Sequence, residues 1–341
     1  MTVDGTVAII GDGQMGLVLA DAFVARGLSV RLWGPFPDDI ETLAGTRRSP
    51  RRLPEFTLPD DVRVTADHRE ALSGANCVVN AIPTQYIRRV WQTIGTGVPV
   101  SASVLCVSKG IENETLLTPT QIIADVLGGL PARSMPASCV LSGPTVAAEL
   151  ARRLPATMVA ASDDPSLAEA AQDLLDVPWL RIYRHDDTLG VELAGATKNV
   201  IALAAGMVDG LGVGDNAKSA LLSRGLAEIA RLGVAMGARV ETFFGAAGVG
   251  DLATTCFSPS GRNRTCGERL GRGESLEAIL ESTVSVVEGV ATTRSVMALA
   301  QAHNVEMPIT AAVFGILFEG LRPTDAIRSL MQREQKAERI G

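Results

Sequence analysis

Residues 195–206 read GATKNVIALAAG, with Lys198 and Asn199 in the middle of an otherwise apolar helical stretch. In a helix, Lys198 has Ala194 and Ala202 four residues away and Gly195 and Ile201 three away. None of these can neutralise an ammonium. Such a lysine snorkels to water, finds a partner from a distant part of the chain, or titrates below the usual lysine range. The pattern alone leaves a snorkelling lysine and a functional proton donor both open. Lys109 raises a similar question at the end of an apolar run, in Ser108-Lys109-Gly110. A third group lies at 248–255 (GVGDLATT) and 261–264 (GRNR). Asp251 follows a glycine-rich break and is available to pair a distant lysine. Arg262 and Asn263 offer a planar fork and an amide, a pair suited to phosphate or carboxylate. The bland reading of these residues is a capping aspartate and an exposed basic loop.

The chemistry of residues 11–16, GDGQMG, is different. They fit G-x-G-x-x-G after a strand and at the opening of a helix. Gly11 permits a tight turn, Gly13 lets backbone approach a diphosphate, and Gly16 lets helix and strand pack closely. The helix N-terminus then offers free N–H groups to an anion. The second strand ends in Trp33-Gly34-Pro35, with no acid before Asp38. A 2′-phosphate is therefore not repelled, which favours NADP while leaving NAD open. Arg47, Arg48, Arg51 and Arg52 either reach that phosphate or sit in a solvated loop. The turn Ser142-Gly143-Pro144-Thr145 marks another strand end, where doubly wound sheets bind ligands.

The elements that must position these residues change character along the chain. Residues 6–10, 28–33, 77–83, 103–108, 139–143, 157–161 and 180–183 read as strands, with helical patterns between most of them. That alternation predicts a doubly wound, mostly parallel sheet, an α/β dinucleotide-binding domain over 1–187. From about Thr188 the strand pattern nearly vanishes. Helical patterns follow at about 189–209, 216–236, 241–247, 275–280, 288–303 and 308–320, predicting an all-α domain over 188–341. Residues 45–61 read as a Pro- and Arg-rich loop, and 332–341 as an exposed tail.

Composition sets outer bounds. The 341 residues are 46% hydrophobic and only 4% aromatic, so the core is mostly aliphatic. A net charge of −7 argues against general nucleic-acid binding or an anionic membrane surface. Five cysteines lack C-x-x-C spacing, and three histidines lie outside any motif. Free thiols, no metal site and no histidine base are expected. With no signal peptide and no uninterrupted apolar run of about 18 residues, the expected location is the cytoplasm, without membrane insertion.

Taken together, these stretches resemble the soluble bacterial NAD(P)-dependent glycerol-3-phosphate dehydrogenases. GDGQMG (11–16), SKG (108–110), SGPT (142–145), GATKNVIALAAGMVDG (195–210), LLSRGLAE (221–228), GVGDL (248–252), GRNR (261–264), VVEG (286–289) and EMPIT (306–310) carry the resemblance, in order, over nearly the whole chain. It implies a Rossmann domain followed by a helical substrate domain. It further implies reduction of dihydroxyacetone phosphate to sn-glycerol 3-phosphate with NADPH or NADH, feeding glycerophospholipid synthesis, in a homodimer. On that pattern Lys198 is the catalytic acid/base, and Lys109 contacts both cofactor and substrate. Gly143, Thr145, Asp251, Thr255, Gly261, Arg262 and Asn263 bind the substrate. Gly11, Gly13, Gln14, Met15, Gly16, Ala147, Arg262, Val286 and Glu288 border the cofactor, and no metal is implied. Two positions depart from the pattern. Gly261 stands where a serine often precedes Arg-Asn, and Pro35 stands where His or Arg often follows Trp-Gly. Competing readings are a related dehydrogenase for a hydroxy acid or opine-like substrate, and a non-catalytic dinucleotide sensor.

Overall fold

The apolar runs of the first half form one eight-stranded sheet. In the computed structural model, which describes residues 5–130, 136–334 and 337, the strands are β1 (Thr6–Ile10), β2 (Ser29–Trp33), β3 (Arg48–Ser49), β4 (Leu53–Thr57), β5 (Val62–Thr65), β6 (Cys77–Asn80), β7 (Ser103–Cys106), β8 (Ser138–Ser142), β9 (Ala156–Ala161) and β10 (Leu180–His185). The sheet order is β10-β9-β8-β7-β6-β1-β2-β5. Every pairing in it is parallel except β8 with β9. The connecting helices are α1 (Gln14–Ala25), α2 (Pro37–Thr46), α3 (His68–Leu72), α4 (Thr84–Ile94), α5 (Pro119–Gly128), α6 (Ala147–Leu150) and α7 (Pro165–Leu174). The strand order reverses at β1, flanked by β2 and β6, the switch point where doubly wound sheets take ligands at strand carboxyl ends.

Segment 45–61 is not a plain loop: β3 and β4 pair antiparallel within it. Its composition hid the apolar anchors Leu53, Phe56 and Leu58, all buried in the core of this unit. Arg47 ends α2 in the left-handed region (φ 58) and donates through Nη2 to Val62 O at 2.8 Å and to Pro59 O. It is a structural residue rather than a solvated one. Of the tail expected to be exposed, Gln332–Glu334 and Ala337 are exposed; the other residues of 332–341 lie outside the described residues.

The second unit is helical: α8 (Thr188–Leu211), α9 (Asp215–Ala235), α10 (Asp251–Phe257), α11 (Arg262–Gly271), α12 (Leu276–Glu281), α13 (Glu288–Ala302), α14 (Pro308–Phe318) and α15 (Pro323–Met331). By contacts it begins at Leu189, and the short segment Lys109–Thr118 belongs to it, although that segment follows β7 in the chain. Ser295 Oγ donates to Ile111 O at 2.9 Å and to Asn113 Oδ1 at 2.6 Å. Thr118 Oγ1 donates to Glu192 Oε2 at 2.6 Å. These bonds tie the segment to α13 and α8. By length and composition α8 alone among the described helices is long and apolar enough to cross a membrane, and its apolar stretch is buried inside the protein.

The glycines of α8 explain its crossing with α11. A Cβ on Gly206 would lie 1.9 Å from Arg264 O, and one on Gly267 would lie 2.0 Å from Leu203 O. The two backbones touch, so neither position has room for a side chain. A Gly→Ala change in a helix interior ordinarily stabilises by about 1 kcal/mol. Here Gly206→Ala should destabilise instead, by about 1–3 kcal/mol from overpacking. A melting temperature that rises in this variant would contradict the crossing.

Candidate active site

In the first unit, the glycine turn joins β1 to α1. Gly11 adopts φ +122, a conformation open to glycine, and its N–H donates to Trp33 O at 2.8 Å. A Cβ on Gly16 would lie 2.0 Å from Gly11 O, whereas Gly13 has open space beside it. Gly13 is also the N-cap of α1 and supplies no side-chain acceptor. The first N–H groups of α1 therefore meet an open backbone surface, an arrangement that fits a diphosphate. Gln14 donates through Nε2 to Arg52 O at 2.7 Å, tethering the β3–β4 hairpin to the turn. Met15 packs against the core of the unit. At the end of β8, Gly143 takes φ +144, and a Cβ there would lie 2.7 Å from Thr157 O. Thr145 Oγ1 donates to Gly143 O at 3.1 Å. Ala147 opens α6.

In the second unit, Lys109, Lys198, Asp251 and Thr255 come together. Lys198 Nζ lies 2.5 Å from Asp251 Oδ1 and donates to Thr255 Oγ1 at 2.7 Å. Lys109 Nζ donates to the other carboxylate oxygen, Asp251 Oδ2, at 2.7 Å. Thr255 Oγ1 in turn donates to Asp251 O at 2.7 Å, one turn back along α10. Lys198 is 5% exposed and Asp251 2%. The partner that α8 lacks locally is thus supplied by α10. The GVGDL stretch delivers it through a wide π-turn, Ala246–Gly250, in which a Cβ on Gly248 would lie 2.1 Å from Phe243 O.

Two lysines share one carboxylate, so the cluster carries a net positive charge where an anionic or polarised oxygen would be favoured. Burial pushes the Lys198 ammonium down to about 8, Lys109 pushes in the same direction, and Asp251 opposes. For Asp251, burial works to raise the carboxyl, but the two lysines outweigh it and hold it below the usual carboxylate range. Lys198 is therefore able to exchange a proton near neutrality while remaining fixed in place.

Arg262 and Asn263 are not in a loop: they form the first turn of α11. Arg262 is exposed, and its Nη1 donates to Val286 O at 3.2 Å. Asn263 is buried. Its Nδ2 donates to Asn199 Oδ1 at 2.9 Å, and its Oδ1 accepts from Gly289 N at 2.9 Å. Asn199 Nδ2 reaches Lys109 O at 3.4 Å. Asn199, a quarter-turn round α8 from Lys198, thus links the α11 amide to the backbone of Lys109. Gly261 caps α11, and a Cβ there would lie 3.2 Å from both Ser258 O and Thr255 O. Glu288 opens α13. Among the described residues no group of three or more His, Cys, Asp or Glu is placed to hold a metal ion.

Family descriptions match both halves: "NAD-dependent glycerol-3-phosphate dehydrogenase N-terminus" over residues 6–168 and the corresponding C-terminus over 187–328. The chain is 44% identical over 333 residues to glycerol-3-phosphate dehydrogenase [NAD(P)+] 2 of Salinibacter ruber, covering 98% of this chain and 96% of that protein. It belongs to the NAD-dependent glycerol-3-phosphate dehydrogenase family. The Thermobifida fusca glycerol-3-phosphate dehydrogenase [NAD(P)+] is 43% identical, covering 98% of this chain and 99% of the relative. The crystal structure of the Coxiella burnetii glycerol-3-phosphate dehydrogenase superposes with a TM-score of 0.92 at 33% identity, covering 97% of this chain and 99% of that one. Family membership accounts for the α/β unit followed by a helical one.

Proposed function

We propose that this member of the family reduces dihydroxyacetone phosphate to sn-glycerol 3-phosphate, reversibly, with NADPH or NADH. The observation that carries the reading is the buried Lys198–Asp251 pair, with Lys109 and Thr255 on the same carboxylate and hydroxyl. The nicotinamide, when bound, supplies the hydride. Gly11, Gly13, Gln14, Met15 and Gly16 hold the dinucleotide through the α1 N-terminus, with Ala147, Val286 and Glu288 bordering it. Lys198 donates its Nζ proton to the ketone oxygen as negative charge grows there. Asp251 and Thr255 keep that ammonium aimed, and Lys109 adds positive charge beside it. Gly143 and Thr145 line the substrate. Arg262, with the N–H of Gly261 and the first turn of α11, takes the phosphate and so orients the reacting carbon. Asn263 contributes chiefly by holding Asn199 and Gly289, since one amide hydrogen and its oxygen are already engaged.

The product suits glycerophospholipid synthesis. Five buried, unbridged cysteines support a reducing compartment, and we place the protein in the cytoplasm as a homodimer on the family resemblance. Steady-state NADPH and NADH oxidation tests the reaction. Dihydroxyacetone phosphate should be turned over and unphosphorylated dihydroxyacetone should be poor. Arg262→Ala should raise the KM for the phosphorylated ketone about tenfold or more, in line with loss of a charge-assisted pair. Equal use of both ketones by the parent, or an unchanged KM in the variant, would defeat the phosphate assignment.

A further inference from the structure

Four arginines lie between α2 and β4, and the structure sorts them. Arg47 is spent on the carbonyls of Pro59 and Val62, and Arg48 is exposed on the hairpin. Arg51 pairs with Asp39 at 3.6 Å with its side chain 67% exposed. Arg52, with its side chain only 22% exposed, is the one of the four that reaches Asp12, the glycine-turn residue packed beside Gly34. Its Nη2 lies 3.9 Å from Asp12 Oδ2 and 3.8 Å from Asp39 Oδ2, and its buried Nε makes no hydrogen bond.

The place it reaches is the one that separates the two nicotinamide dinucleotides. In this fold the adenosine ribose meets the end of the second strand, where an acid receives a 2′-hydroxyl and an arginine a 2′-phosphate. Here β2 is followed by Gly34, which has no room for a side chain: a Cβ would lie 2.6 Å from Ile40 Cδ1 and 2.8 Å from Asp12 Cγ. Asp12, buried in the glycine turn, occupies that space and pairs with the Arg52 guanidinium at 3.9 Å. Burial pushes the Asp12 carboxyl above its usual range, and the Arg52 guanidinium beside it opposes this. Both ion pairs exceed hydrogen-bonding distance. They keep the guanidinium in place while leaving its N–H groups available for a shorter bond.

We propose that Arg52, carried to the end of β2 by the β3–β4 hairpin and steadied there by Asp12 and Asp39, receives the 2′-phosphate of NADP and sets a preference for NADPH. The proposal rests on the reading that this unit binds a nicotinamide dinucleotide. Equilibrium binding of adenosine 2′,5′-bisphosphate and of 5′-ADP to the full chain tests it without turnover. The parent should bind the bisphosphate more tightly. Arg52→Ala should weaken the bisphosphate about tenfold, about 1.4 kcal/mol, and leave 5′-ADP within about twofold. Arg52→Lys should recover part of the loss. The Gln14 bond goes to the Arg52 carbonyl, so the hairpin tether survives these changes. An equal loss for both nucleotides, or a loss for neither, would overturn the role of Arg52. A parent that binds neither nucleotide would overturn the dinucleotide reading itself.

Discussion

Lys198→Ala is expected to lower the turnover of ketone reduction by about 10²–10⁴-fold, the usual worth of a positioned general acid. Folding should survive, because Asp251 keeps Lys109 as a partner at 2.7 Å. The pH dependence adds an independent sign. With its ammonium pushed down to about 8, Lys198 loses its proton as pH rises through that value. Ketone reduction, which needs the proton, should fall above about pH 8. The reverse oxidation, which needs the neutral amine, should rise toward the same pH. Stability moves the other way from reduction. An unfolded lysine titrates at 10.5 and so holds more protons than folded Lys198 between about 8 and 10.5. The burial cost is therefore full below about pH 8 and is relieved as pH rises through that window. Rate profiles in both directions, with urea melts at several pH values, check all three signs. Near-normal turnover in Lys198→Ala would rule out the lysine as donor.

Asp251→Ala should be the most destabilising change in the cluster, by about 3–5 kcal/mol, because it leaves two lysines without their shared anion. Lys198 lies 2.5 Å and Lys109 2.7 Å from the two carboxylate oxygens, so both lose a partner at once. Adding Lys198→Met to Asp251→Ala should restore part of the loss, since it removes the more buried orphan charge. A double-mutant cycle read by chemical denaturation measures the coupling. Additive effects of the two changes would mean that the pair is not coupled. The parent should also lose stability in acid. The Asp251 carboxyl is held below its usual 3.8, so its stabilising charge is present above that value and disappears as pH falls through the lowered pKa. Asp251→Ala should lack this acid-sensitive component.

Much of the architecture was legible because it depends on short-range patterns. The parallel sheet followed from apolar runs separated by helical spacing. The glycine turn followed from G-x-G-x-x-G between a strand and a helix. The β3–β4 hairpin and β5 were not legible. Their prolines and arginines mask Leu53, Phe56 and Leu58, whose burial is decided by the core they join. The first turn of α11 was obscured for a similar reason. GRNR is polar and weakly helical by composition, and its helix is held by the Gly206–Gly267 crossing with α8.

By itself the sequence determined that Lys198 has no local counter-charge, because helical neighbours are set by spacing alone. It also determined which glycines are able to turn beneath a diphosphate. Only the tertiary structure decided what answers the lysine. Asp251 is 53 residues from Lys198 and 142 from Lys109, and such pairings form only once helices pack. The same packing turned Asn263 inward to Asn199 and Gly289, and set Arg52 rather than its three neighbouring arginines beside Asp12 of the glycine turn. A residue's type states what chemistry it is capable of. Its burial and its neighbours, which no short stretch encodes, decide where that chemistry is used.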